Sequence, residues 1–196
     1  MRLRRTALLI TLAAVSLAAC GSDDDPAVSR ADTDSLSTSL TDTGGAEKGS
    51  VELSFAADGA ATLTVQASGL EPGLHGMHLH KVGVCNPDSA DPAKPEMKGA
   101  FLSATGHLAG TGQTHGDHDG DLPSLLVRAD GSARLVVTSD RLTRESVLDA
   151  DGSALIVHAD ADNFGNVPSR YTPTVDETTK KTGDSGSRVA CGVLKG

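Results

Sequence analysis

The sequence predicts an all-β protein built as an antiparallel sandwich or barrel. Three observations carry that prediction. From Gly49 onward, short runs of apolar residues alternate with polar ones, the pattern in which residues two apart share one face of a strand. Turn signals separate those runs at close intervals: Asp58-Gly59, Glu71-Pro72-Gly73 and Asp130-Gly131. The composition pairs 22 glycines with only three Phe, one Tyr and no Trp, which suits a Val/Leu/Ala interior and tight turns. A formal charge of −9 with so few aromatics also excludes a nucleic-acid binder, which needs a basic, aromatic-bearing surface.

The chain opens with Arg2, Arg4 and Arg5, followed by an apolar run from Ala7 to Ala19 that is too short to span a membrane convincingly. The sequence Leu17-Ala18-Ala19-Cys20-Gly21 resembles a bacterial lipobox, which implies acylation of Cys20. The alternative is an ordinary signal peptide cut nearby. Either way residues 1–19 are expected to be a removed signal and the domain to lie outside the cytoplasm; acylation of Cys20 makes it lipid-anchored to the bacterial membrane. Loss of residues 1–19 takes away three arginines and no acid, moving the charge from −9 to −12. A diacylated cysteine supplies the two-chain hold that one acyl chain cannot. With Cys20 spent on lipid, Cys85 and Cys191 remain as an even pair in an oxidising compartment. Residues 20–48 are small and polar, opening with Asp23-Asp24-Asp25; they cannot offset the entropy of ordering and are expected to form a flexible tether. Residues 49–196 are expected to form the folded domain.

Within that domain Val51, Leu53 and Phe55 predict one strand and Ala61, Leu63, Val65 and Ala67 the next, with the Asp58-Gly59 turn between them. Gly73 to His80 predicts a third, on which His78 and His80 share a face about 7 Å apart along the strand, opposite His75, Met77 and Leu79. Leu125–Val127 and Ala133–Thr138 predict a second hairpin around Asp130-Gly131. Leu155–His158 and Val189–Leu194 predict two further strands. A helical turn carrying Leu142, Val147 and Leu148 is expected within 139–151. Stretches 84–120 and 159–187 fit no strand, hold most of the remaining polar chemistry, and are expected to be functional loops.

The seven histidines are His75, His78, His80, His107, His115, His118 and His158, and none lies in the expected tether. His107, His115, His118 and Asp121 place three imidazoles and a carboxylate on one glycine-rich loop, a donor set of the kind and number that tetrahedral zinc takes. His78, His80 and His158 lie on or at the ends of strands, and an all-nitrogen set suits copper.

These segments resemble the copper/zinc superoxide dismutases. The residues that carry the resemblance are Gly73-Leu74-His75-Gly76-Met77-His78-Leu79-His80, Gly106-His107, His118-Asp119-Gly120-Asp121-Leu122, Val157-His158-Ala159-Asp160-Ala161-Asp162-Asn163, and the run from Thr182 through Arg188 and Cys191 to Val193. They come in the family's order and cover about residues 49–196. The resemblance implies a Greek-key antiparallel β-sandwich or barrel of about eight strands with long functional loops. It implies one copper per subunit on His78, His80, His107 and His158, and one zinc on His107, His115, His118 and Asp121, with His107 bridging. It further implies that Asp162 hydrogen-bonds ligands of both metals, that Cys85 and Cys191 form a disulfide, and that Arg188 beside the copper docks the superoxide anion. His75 is expected to be a buried structural residue. The loop from His107 to Asp121 is shorter than in most eukaryotic members, and Asp117 and Asp119 alternate with its ligands, where they could compete for a metal. The Tyr171-Thr172-Pro173 segment matches bacterial patterns.

The implied reaction is dismutation of superoxide to oxygen and hydrogen peroxide, with His107 accepting and returning a proton. A net charge near −12 repels the substrate, so attraction must be local, from Arg188 and from Lys180 and Lys181, while distant acids are screened beyond about 8 Å at physiological salt. The competing expectation is an extracytoplasmic copper/zinc buffer or delivery protein with the same fold; such a protein is free to lose Arg188, Asp162 and the cysteine pair. A structural lipoprotein with adventitious metal is a third. The expected partners are superoxide and membrane lipid, with no nucleic acid.

Overall fold

The structure is a computed structural model, and it describes residues 34–196. The expected signal segment, the acylated Cys20 and the first part of the expected tether lie outside the described residues.

Eleven strands are formed among the described residues: β1 (Asp34–Asp42), β2 (Glu47–Phe55), β3 (Ala61–Ala67), β4 (Gly73–His75), β5 (Met77–His80), β6 (Ser89–Asp91), β7 (Lys94–Gly99), β8 (Leu125–Val127), β9 (Ala133–Ser139), β10 (Ser153–His158) and β11 (Arg188–Leu194). Seven of them make one antiparallel sheet in the order β5-β10-β11-β1-β2-β3-β9. The chain leaves β3 near one end of that order and resumes at β5 at the other, the crossing typical of a Greek key. The two ends are bridged. β4 runs directly into β5, and β4 pairs with β8, Leu74 opposite Leu126. β8 then turns into β9 through Gly131, with Arg128 N–H donating to the Ser132 carbonyl at 2.8 Å.

Alternation decides the interior. Leu40, Val51, Leu53, Leu63, Val65, Met77, Leu79, Leu125, Leu155 and Val157 fill one continuous core. β10 is buried on both faces. Its Leu155 and Val157 face that core, while Ala154 and Ile156 pack outward against Phe101, Ala104 and Cys191. The predicted helical turn is present as α1 (Arg144–Val147), capped by Thr143, with Leu142 and Val147 buried. A second short helix, α2 (Thr179–Thr182), lies in the late loop.

Four expectations are corrected. Residues 34–48 are not tether: β1 pairs with β2 along Asp34–Thr41 and with β11 at Thr41 and Asp42. The segment Asp-Ser-Leu-Ser-Thr-Ser-Leu-Thr-Asp is polar in sum, yet Leu36, Thr38 and Leu40 alternate and turn inward. The Gly73–His80 stretch is two strands, because at Gly76 the backbone leaves its line: Gly76 N–H donates to the Asp160 carbonyl, and the Gly76 carbonyl accepts from His158, both at 2.8 Å. A side chain at Gly76 would collide with Ser185. Leu125–Val127 and Ala133–Ser139 share the predicted turn but pair elsewhere, with β4 and β3 respectively. The loop after His80 contains the β6–β7 hairpin, whose residues are mostly exposed and carry no apolar alternation.

Candidate metal centre

β5 supplies the centre's rigid base. Met77 and Leu79 are locked in the core, so His78 and His80 are held on the opposite face. β10 pairs with β5, Ile156 opposite His78, and ends at His158. The loop carrying His107 and Asp121 is sewn to β5 from the other side. Leu108 N–H donates to the Leu79 carbonyl at 2.7 Å, and Leu79 N–H to that of Gly120 at 2.9 Å. His80 then stands opposite His107, and His78 opposite Asp121.

Two groups of donors result. In the first, one ligand atom from each of His78, His80, His107 and His158 lies within 4.8 Å of all the others. His80 Nδ1 donates to the Thr105 carbonyl at 2.8 Å, and His158 Nδ1 to that of Gly186 at 3.2 Å. In a neutral ring this leaves Nε2 as a bare lone pair, and these two Nε2 atoms face each other at 3.4 Å. His78 Nε2 donates to Asp162 at 2.6 Å, and its buried Nδ1 has no hydrogen-bond partner. Three converging buried lone pairs with nothing to share are reconciled by a cation.

The second group gathers around one oxygen. Asp121 Oδ1 lies 2.9 Å from His107 Nδ1, 3.2 Å from His118 Nδ1 and 3.3 Å from His115 Nδ1. The Asp121 Oδ2 atom is fixed by the N–H groups of Gly116 (2.7 Å) and His118 (3.1 Å). His115 Nδ1 is buried and out of line for a hydrogen bond, a second orphan aimed at a common point. Ligand atoms of His78, His107, His115 and Asp121 here all lie within 4.8 Å of one another. His78, though near, has its Nε2 spent on Asp162, and its free Nδ1 belongs to the first group. His118 reaches the second group through Asp121. Three imidazoles and a carboxylate fit zinc, and four imidazoles fit copper.

His107 is common to both groups. Its Nδ1 faces Asp121, which leaves Nε2, on the opposite edge of the ring, for the first group. Asp162 ties the groups together, accepting from His78 Nε2 at 2.6 Å and from His115 Nε2 at 2.7 Å. Gly183 makes room for that pair: its φ is +58°, and a Cβ there would overlap Asp162 and His115.

Burial sets the charge states. His80 is held well below the ordinary imidazole range, first by burial and then by Arg188, His107 and His158. Burial likewise lowers His107 to about 4 against the pull of Asp121, and lowers His158 to about 3 with His78 adding to it. For His115 burial acts downward too, but the Asp121 and Asp162 carboxylates outweigh it and raise it to about 9. Burial favours protonation of Asp121 and Asp162; the His107 hydrogen bond and the nearby His115 ring at the first, and hydrogen bonds from His115 and His78 to the second, override it and hold both well below the usual range. His80, His107 and His158 are therefore neutral ligands at pH 7.

Arg188 is anchored at the rim. It donates to the Phe101 carbonyl at 2.5 Å and to the Thr105 carbonyl at 2.6 Å, the latter shared with His80. Burial lowers it to about 10, with Asp91 opposing, so it stays cationic at pH 7. Cys85 and Cys191 form a disulfide. His75 is buried, its ring nitrogens 2.6 Å and 2.8 Å from the carbonyls of His158 and Glu71. Asp119 is not a competing ligand, because it is bound by Gln113 at 2.8 Å. The carbonyls of Phe101, Thr105 and Gly186 have no side-chain signature, so pattern reasoning misses them. Gln113 had one available signal, as the longest side chain between Leu108 and Leu122 apart from the ligands themselves.

Residues 47–194 match the family described as copper/zinc superoxide dismutase (SODC). The chain is 47% identical over 169 residues to the superoxide dismutase [Cu-Zn] of Mycobacterium tuberculosis, covering 82% of this chain and 70% of that protein. It is 45% identical to the protein of the same name from Mycolicibacterium paratuberculosis, covering 82% and 74%. Among solved structures, the Cu/Zn superoxide dismutase from Brucella abortus superposes with a TM-score of 0.61 at 27% identity, covering 82% of this chain and 99% of that one. A SOD-like protein from Bacillus subtilis gives 0.59 at 26%, covering 81% and 97%.

Proposed function

The chain belongs to the copper/zinc superoxide dismutase family, and from that premise we propose that it converts superoxide to dioxygen and hydrogen peroxide outside the cytoplasm, with His107 shared between copper and zinc. The observation that carries this reading is the facing pair of His80 and His158 Nε2 lone pairs, 3.4 Å apart, beside an arginine anchored on the same carbonyl as His80. His78, His80, His107 and His158 would hold copper; His107, His115, His118 and Asp121 would hold zinc. When bound, copper supplies one-electron exchange with superoxide and zinc supplies fixed positive charge.

The chain's own residues do the rest. Arg188, charged at neutral pH, docks the anion, and its two carbonyl anchors keep the guanidinium from collapsing onto the ligands. Lys180 contributes less to steering than its charge suggests, because it pairs with Glu177 at 2.9 Å. His107 accepts and returns a proton at Nε2 while its Nδ1 edge stays fixed beside Asp121. Asp162 keeps the rings of His78 and His115 in one tautomer and orientation.

The test is superoxide decay followed by stopped flow with the purified, metal-loaded protein. Decay becomes first order in superoxide and proportional to protein, and His107→Ala removes the acceleration. A protein that holds both metals and leaves decay at its spontaneous second-order rate is a metal buffer, and the proposal fails. Export and anchoring rest on the Arg2–Gly21 pattern. Cells fed labelled palmitate incorporate it into the wild-type chain and not into Cys20→Ser; equal labelling of both rejects Cys20 as the anchor.

A further inference from the structure

The stretch between Leu108 and Leu122 has no core of its own. It carries four glycines, Ala109, two threonines and otherwise polar side chains, yet it must present His115, His118 and Asp121 to one point. Its ends are tied to β5, and Gly120 N–H donates to the Leu108 carbonyl at 2.8 Å. Its middle is held at His115, whose N–H donates to the Lys180 carbonyl at 2.8 Å, and at Gly116 and His118, whose N–H groups donate to Asp121 Oδ2; one further side chain joins its two arms. Gln113 Oε1 accepts from Gly110 N–H at 2.7 Å and from Asp119 N–H at 3.2 Å, and Gln113 Nε2 donates to Asp119 Oδ1 at 2.8 Å. Every polar atom of the amide is used, and the three bonds span the loop from residue 110 to residue 119. Gln113 and Asp119 are both half-buried, so water competes only partly for these groups.

We propose that Gln113 is a positioning residue for zinc: it closes 110–119 into a fixed ring that aims His115 and His118 at Asp121, and it withholds the Asp119 carboxylate from the metal. The inference rests on reading His107, His115, His118 and Asp121 as the zinc ligands. Two consequences follow from the bonding. Without the amide, the two arms of the loop lose their cross-link, more of the loop must order when zinc arrives, and that added ordering entropy is subtracted from zinc affinity. Asp119 also becomes a free oxygen donor next to His118 and two residues from Asp121, able to draw the ion off the tetrahedral set. The copper ligands His78, His80 and His158 lie on β5 and β10 and do not depend on this ring.

The experiment measures zinc affinity of the full-length, copper-loaded protein by competition with a chromophoric chelator, alongside the visible absorption of cobalt(II) placed in the zinc site. Gln113→Ala lowers zinc affinity roughly tenfold or more and weakens the intense tetrahedral cobalt bands, while copper affinity stays within about twofold. Gln113→Glu keeps acceptors for the two backbone N–H groups but repels Asp119, so it falls between Gln113→Ala and wild type. Asp119→Asn keeps the amide–Oδ1 bond without the charge, so it stays near wild type. Melting of the metal-free variants confirms that each is folded. Wild-type zinc affinity and an unchanged cobalt spectrum in Gln113→Ala overturn the inference, as does an equal loss of copper and zinc, which would mark Gln113 as merely structural. A wild-type protein that binds copper but no zinc removes the zinc site itself, and the inference with it.

Discussion

Replacing the disulfide by Cys85→Ala with Cys191→Ala makes a prediction whose size follows from the chain path. The bridge joins residues 106 apart, one in the loop after β5 and one in the middle of β11. Constraining so long a loop in the unfolded ensemble is worth about 4.7 kcal/mol in the chain-entropy treatment. At roughly 2–4 °C per kcal/mol for a domain of this size, the melting temperature falls by roughly 10–19 °C. Alanine is chosen because Cys191 is 1% exposed and a serine hydroxyl would be buried beside Phe101 and Ile156. Calorimetry of the metal-free protein at pH 7 measures the shift without contributions from metal binding. The loss extends to the site. Asn86, next to Cys85, accepts from Phe101 N–H at 2.8 Å, and the Phe101 carbonyl holds Arg188. The metal-loaded variant, assayed well below its melting point, therefore dismutes superoxide more slowly. A melting shift under about 3 °C would refute the entropic argument, and an unchanged rate would show that Arg188 needs no support from this side.

Two further outcomes are expected. Arg188→Ala lowers the second-order rate roughly tenfold or more and flattens its dependence on ionic strength, with copper still bound by metal analysis; in the wild type the rate also falls as pH rises through about 10, where Arg188 loses its proton. In the metal-free protein, stability measured by urea midpoint peaks near pH 6.5. Below that, His107 and His158 stay neutral when folded, down to about 4 and about 3, while the unfolded chain takes up protons, so stability is lost on acidification. Above it, the folded chain keeps the His115 proton up to about 9, so that contribution, complete below pH 6.5, is lost as pH rises. A midpoint that rises monotonically from pH 4 to 9 contradicts this assignment.

Local pattern alone was enough for β2, β3 and β5, because burying one face of a strand demands alternation, and Leu53, Leu63 and Leu79 display it, while β10 and β11 showed as short, nearly continuous apolar runs, the mark in β10 of burial on both faces. It was also enough for the pairing of His78 with His80, since a strand with Met77 and Leu79 in the core has no other place for them. The zinc-type cluster on the His107–Asp121 loop was visible in its residue types, but the full copper set, the disulfide pairing and the role of Arg188 were legible only through family resemblance, because His107, His158 and Arg188 lie far apart in the chain and nothing local relates them. Tertiary structure decided what depends on a distant partner. β1 is a strand because β2 and β11 supply hydrogen bonds its own polar residues could not signal. The break at Gly76 exists because the backbone there bonds to Asp160 and His158. The carbonyls of Phe101 and Thr105 hold Arg188, and Gln113 holds Asp119, through contacts that are directional and long-range, whereas sequence periodicity records only which face of an element is buried.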